Sequence, residues 1–239
     1  MIKYLTSLKN QYIKDLLSLK NSSEKKKLNR FLVEGEDLVT LAYENNQLDL
    51  VISLEEQEKY SSIDQYVVNQ AILEKLSNNK SASKIIGVAH FEKKDITGNS
   101  LVYLDHVQDP GNVGTIIRTA LSFSYSGVLL SPGCASIYNE KVIQSSKGAI
   151  FKIPVLEECQ IDDLKEKNYQ IVSTCLKDAV DYFKVELNDC FVLVFGNEGQ
   201  GICKDILKKS DLLIKIPMGN IDSLNVAVAA GILMNHYRS

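Results

Sequence analysis

The chain has 239 residues, 45% of them apolar and 24% charged, with a formal net charge of −3. That length accommodates one large domain or two small ones with a real core, and the composition is that of a soluble globular protein. No apolar run approaches the roughly 18 residues a membrane span needs, and an overall negative charge argues weakly against a polyanionic partner.

The N-terminal stretch MIKYLTSLKNQYIKD is charged throughout and lacks a signal-peptide core, so the expected location is cytoplasmic. Cys134, Cys159, Cys175, Cys190 and Cys203 are odd in number and form no C-x-x-C pair. They read as reduced, mostly buried thiols. Leu5, Leu8, Tyr12, Leu16 and Leu19 recur at helical spacing and predict an amphipathic helix over 5–19. The same region concentrates Lys3, Lys9, Lys14, Lys20, Lys25, Lys26, Lys27 and Arg30 against Asp15 and Glu24. This basic segment is either a phosphate-contacting face or a solvated helix face, and charge alone does not choose.

From FLVEG onward, strands and helices alternate: helix EDLVTLAYEN, strand LDLVISL, a short helix near Glu55, strand QYVVN, helix QAILEKLS and strand KIIGVAHF. This rhythm predicts a small α/β domain over 1–92, and the polar stretch 93–100 a linker. A second series follows over 101–239, with strands LVYLDHV, GVLLS, YQIVSTC, CFVLVFG and LLIKIP. Helices are expected to begin near Asn112, Asn139, Asp162, Lys204 and Ser223. Apolar strands separated by helices predict a mostly parallel sheet with its ligand site at the strands' C-terminal ends.

Three loops, each directly after an apolar strand, are the candidate site. In QDPGNVGTIIRTA, Asn112 is the expected N-cap of a helix carrying Arg118, which is either a surface ion-pair residue or aimed at an anion. In LVFGNEGQGI the glycines run G-x-x-G-x-G with no following Lys-Ser/Thr, so the loop admits a ligand to backbone but is no phosphate cradle. In IPMGNIDSLN, free carbonyls and helix-start amides lie beside Ile216, Leu224 and Val226, suiting a flat heterocycle. His90, His106 and His236 show no metal-ligand spacing and read as structural, so no metal is expected.

Taken in order, these three stretches resemble the three motifs of the SpoU–TrmH family of RNA ribose 2′-O-methyltransferases, and QSSKGAIFKIPV resembles that family's Ser-x-Gly-Ala segment. The N-terminal half resembles, more weakly, the ribosomal-protein-like substrate-binding domain often fused to this module. The resemblance implies a trefoil-knotted α/β catalytic domain, S-adenosylmethionine as cofactor, an RNA substrate, ribosomal RNA favoured over transfer RNA, and a homodimer. It assigns Arg118, Asn112, Glu198 and Asn225 to catalysis, with Arg118 either accepting the ribose proton or orienting the hydroxyl. Gly196, Ile216, Leu224, Thr174 and Ser223 are the expected cofactor contacts. Lys25, Lys26, Lys27 and Arg30 are expected to meet RNA, and Ser146 to touch RNA or cofactor or else make a buried helix-end hydrogen bond. Lys147 departs from the family, standing where a small residue is usual. A non-catalytic RNA-binding protein on the same fold is the alternative reading.

Overall fold

The computed structural model describes residues 1–79, 83–220 and 223–238. The chain divides into two compact units, Met1–Lys93 and Lys94–Ser239.

The first unit contains strands β1 (Ile2–Leu5), β2 (Phe31–Glu34), β3 (Leu48–Ser53), β4 (Asp64–Val68) and β5 (Ile85–Ala89). Its helices are α1 (Gln11–Ser18), α2 (Ser22–Leu28), α3 (Glu36–Glu44) and α4 (Gln70–Leu76). The sheet order is β1-β4-β3-β5-β2, in which β1, β4 and β3 run parallel and β5 is antiparallel to both its neighbours. The helix expected over 5–19 is shorter: Leu5 pairs with Val68 in the sheet, and the helix starts only after Asn10, whose side chain accepts the Tyr12 N–H at 2.9 Å. A capping Asn in extended backbone interrupts the apolar periodicity. Ile13 and Leu16 of α1 pack with Ile52, Ile72, Leu76 and Ile86. Each such buried aliphatic contributes about 1.5–3 kcal/mol.

The second unit contains β6 (Ser100–Asp105), α5 (Pro110–Ser122), β7 (Gly127–Leu130), α6 (Glu140–Ser146), β8 (Val155–Leu156), α7 (Ile161–Glu166) and β9 (Gln170–Thr174). It continues with β10 (Val180–Asp181), β11 (Phe191–Gly196), α8 (Lys204–Lys209), β12 (Leu212–Lys215) and α9 (Val226–His236). All pairings are parallel, in the order β10-β12-β9-β11-β6-β7-β8. Every residue of β6 is buried, as are Phe191 to Phe195 of β11, because a parallel sheet is covered on both faces, which is why Leu101 to Leu104 and Phe191 to Phe195 are unbroken apolar runs. The expected mixed α/β architecture, with a mostly parallel sheet in the second unit, is what the chain forms.

Two glycines fix close approaches. A Cβ on Gly114 would lie 2.0 Å from Ser145 Oγ and 2.5 Å from the Val142 carbonyl oxygen, so α5 and α6 cross with no room for a side chain. A Cβ on Gly196 would lie 2.3 Å from the Gly201 carbonyl carbon. Four cysteines are half-buried and Cys203 is exposed, so the thiols are less enclosed than their apolar surroundings suggest. Burial pushes the Cys159 thiol up to about 11, which makes it a poor nucleophile. No helix among the described residues is long and apolar enough to cross a membrane.

Candidate active site

The three loops converge because β6, β11 and β12 all end at the same edge of one parallel sheet, with β9 between β11 and β12. A cleft of about 440 Å³ opens there, inside the range of about 300–1,000 Å³ usual for small-molecule sites. The end of β9, the 196–202 loop and residues of the stretches 214–218 and 223–226 form its walls. Thr174, Gly196, Ile216, Ser223 and Leu224, the five expected cofactor contacts, all lie on that lining, as does Glu198. Ile221 and Asp222 of the MGNID break lie outside the described residues.

The second loop folds around Asn197. Its Oδ1 accepts the N–H groups of Gly199 and Gln200 at 2.9 and 3.0 Å, and its backbone pairs with Gly201 in both directions. Gly196 must lack a Cβ for this turn to close against Gly201 and Ile202. Asn197 was not singled out from the sequence, although an Asn directly after a strand-ending Gly is a turn-forming signal. The Thr174 hydroxyl donates to the Val194 carbonyl at 3.1 Å, fixing its lone pairs with respect to the cleft.

One chain of side-chain hydrogen bonds ties the three loops together. Asn225 Nδ2 donates to Asn112 Oδ1 at 3.0 Å, and Asn112 Nδ2 donates to Glu198 Oε1 at 2.8 Å. Asn225 Oδ1 also caps α9, accepting from the Ala227 and Val228 N–H groups at 2.9 and 3.3 Å. The helix therefore begins at Val226, past the expected Ser223, because Asn225 is the residue whose side chain satisfies the first free amides. Asn112 likewise is not a cap. Asp109 caps α5, its Oδ1 accepting the Asn112 N–H at 2.9 Å, and Pro110 occupies the first turn. That leaves the Asn112 amide free to bridge the other two loops. The Asn112 N–H holds the Asp109 carboxyl below the usual carboxylate range, with Lys141 at 3.3 Å adding to it.

Arg118 is exposed on α5 and, among the described residues, its guanidinium has no hydrogen-bond or ion-pair partner. Asn112, Glu198 and Asn225, expected to share in catalysis with Arg118, hold each other by side-chain hydrogen bonds. Ser146 is fully buried and its hydroxyl donates to the Ile143 carbonyl at 2.8 Å in the last turn of α6, the buried helix-end hydrogen bond that stood as the alternative to touching RNA or cofactor. Lys147 takes φ 49° at the end of α6, a left-handed cap position that favours small residues, with its side chain exposed.

In the first unit, Lys25 is only 4% exposed and has a partner, so it cannot meet a phosphate backbone as expected. A buried ammonium is retained only when paired. Lys26 and Lys27 are exposed, and Arg30 donates from Nε to Asp49 Oδ2 at 3.0 Å while remaining 54% exposed.

Residues 99–235 match the family model described as SpoU rRNA Methylase family, and residues 10–87 match that of the MRM3-like substrate binding domain. The 23S rRNA (guanosine(2553)-2′-O)-methyltransferase RlmP of Bacillus subtilis (strain 168) is 34% identical, over 99% of this chain and 100% of its own. The crystal structure of an rRNA methyltransferase from Sinorhizobium meliloti superposes with a TM-score of 0.90 at 27% identity, covering 99% of this chain and 97% of that one. The AdoMet-bound structure of an rRNA methyltransferase from the same organism superposes with a TM-score of 0.88 at 26% identity and the same coverage. The chain belongs to the SpoU rRNA methylase family and is a methyltransferase of that family.

Proposed function

We propose that this protein transfers a methyl group from S-adenosylmethionine to a ribose 2′-hydroxyl of ribosomal RNA. The observation that carries the reading is the Asn225–Asn112–Glu198 chain standing beside a cleft walled by backbone and apolar side chains. The cleft fits the cofactor by its donor set. Ile216, Leu224 and Val226 offer apolar walls to a purine, the turn at Gly196 exposes backbone, and Glu198 supplies one negative charge for a cationic ligand. When bound, S-adenosylmethionine supplies an electrophilic methyl group on a sulfonium.

The chain's own residues orient the acceptor. Arg118 is exposed and without a partner among the described residues, so its guanidinium is available to an RNA phosphate and to the hydroxyl beside it. A guanidinium is a poor proton acceptor, and the role of Arg118 here is to hold the ribose and offset developing negative charge. Asn112 and Asn225 fix Glu198 so that its free carboxylate oxygen keeps one direction. In the first unit, Lys26, Lys27 and Arg30 supply phosphate contacts without base selection.

The assembly is a homodimer through the second unit. Supporting this, α9 is apolar along nearly its whole length, and Val228 is 52% exposed upon it. A knotted C-terminal segment is what the resemblance to the family implies, and a C-terminus tied down by the Tyr237 hydroxyl on the Tyr182 carbonyl at 2.6 Å, with α9 against Thr119 of α5 at Gly231, is compatible with it. Free thiols fit a cytoplasmic site of action.

The test mixes purified protein, labelled S-adenosylmethionine and unmodified ribosomal and transfer RNA, then maps the labelled ribose. Label in ribosomal RNA is expected, abolished by Arg118→Ala with cofactor affinity nearly intact. Label confined to transfer RNA would move the substrate class. Cofactor binding without transfer to any RNA would make the chain a non-catalytic RNA-binding protein.

A further inference from the structure

His106 was read from the sequence as structural, yet its ring meets the fold only through Asp105 and beside Gly133. Its backbone lies at φ 54°, the left-handed region that a glycine enters freely and a histidine only at a cost. Its side chain is 52% exposed, so it fills no core. Among the described residues, every polar atom of His106 but one has a partner. Its N–H donates to Ser131 Oγ at 2.9 Å, and its carbonyl accepts from Asn197 Nδ2 at 2.9 Å. Its ring Nδ1 meets Asp105 Oδ1 at 2.7 Å.

Asp105 is 1% exposed, and its other oxygen accepts the Cys203 N–H at 2.7 Å, so the carboxylate itself has no freedom to move. A fixed carboxylate on Nδ1 places the ring proton there and leaves Nε2 as an acceptor. Gly133, at φ 87°, makes room for the ring: a Cβ there would stand 2.9 Å from His106 Cδ2. His106 thus follows β6 at the sheet edge where the site loops gather, and Asn197, which holds it, directly precedes Glu198 of the catalytic chain.

We propose that His106 is an RNA-positioning residue, whose Nε2 accepts a hydrogen bond from an N–H or hydroxyl of the nucleotide presented to the catalytic loops. Strain and full anchoring around a single unused acceptor are the pattern of a side chain set for recognition, and single-stranded nucleotides are read by such edge hydrogen bonds. The inference rests on the function proposed above and deepens it by naming a residue of this chain that selects the substrate's pose.

The test compares wild type, His106→Gly and His106→Asn on an unmodified 23S ribosomal RNA transcript. Glycine suits the left-handed backbone, so His106→Gly is expected to keep the fold while raising the RNA Kd and KM about tenfold. Its kcat at saturating RNA should fall far less, and its S-adenosylmethionine Kd should stay at the wild-type value. Asparagine tolerates the same backbone and offers a carbonyl acceptor, so His106→Asn should recover part of the loss. A stable His106→Gly protein with wild-type RNA Kd and KM would overturn the inference alone. So would parallel losses of thermal stability and of affinity for both ligands, which mark a purely structural role. A wild-type protein that neither binds nor methylates the transcript would instead sink the functional reading, and this inference with it.

Discussion

Gly196→Ala tests the cleft most directly. The added methyl would sit 2.3 Å from the Gly201 carbonyl carbon, 2.4 Å from the Ile202 nitrogen and 2.6 Å from the Gly201 oxygen. Carbon contacts are comfortable at about 3.5–4.0 Å, so the 197–202 turn must retreat by roughly 1 Å. These are backbone atoms locked by the Asn197–Gly201 pairing and by the Cys203 N–H bond to Asp105, with no flexible side chain to yield. Overpacking of this kind costs about 1–3 kcal/mol. Because the turn forms a wall of the cleft, that cost appears as a loss of roughly tenfold to a hundredfold in S-adenosylmethionine affinity. Calorimetric titration measures it, and a thermal melt separates it from unfolding. Gly199→Ala is the control, since its Cβ would meet only Asn197 Oδ1 at 3.6 Å. Wild-type affinity in Gly196→Ala, or an equal loss in Gly199→Ala, would show that the turn does not shape the site.

Gly114→Ala should destabilise the second unit by about 1–3 kcal/mol in denaturant titration, and adding Ser145→Ala should not restore it, because the Val142 carbonyl still lies 2.5 Å from the new methyl. Asp109→Asn should lower stability at neutral pH by up to about 1 kcal/mol, since a neutral cap is weaker beside Lys141. Asp109 has a depressed folded pKa, so its contribution is present above the unfolded value of about 3.9 and is lost as pH falls through the folded one. The gap between variant and wild type should therefore close in acid, as melts across pH would show. Lys26→Ala with Lys27→Ala should weaken RNA binding and flatten its salt dependence by about 0.7–0.9 per contact removed. Lys25→Ala should instead lower the melting temperature by a few degrees with the salt slope unchanged.

What the chain's order of residues determined by itself was local. Buried parallel strands need unbroken apolar runs, so LVYLDHV, CFVLVFG and LLIKIP declare themselves within six or seven residues. The alternation with helices then implies a mostly parallel sheet, and the Gly- and Asn-bearing loops after three strands mark the ligand edge. Their joint resemblance to one family named the chemistry. Only the tertiary structure decided which polar atoms meet. Asn112 reaches Glu198 across 86 positions and Asn225 across 113, distances in sequence over which no propensity acts. That meeting follows from β6 lying beside β11 and from α9 returning to α5. The same long-range packing buries Ser146 and Lys25 and holds the His106 backbone between Ser131 and Asn197, whereas the capping of α5 by Asp109, three residues before Asn112, is a local feature that the sequence reading assigned to the wrong residue. Periodicity and turn chemistry act within a few residues, whereas burial and hydrogen-bond pairing depend on which strands become neighbours.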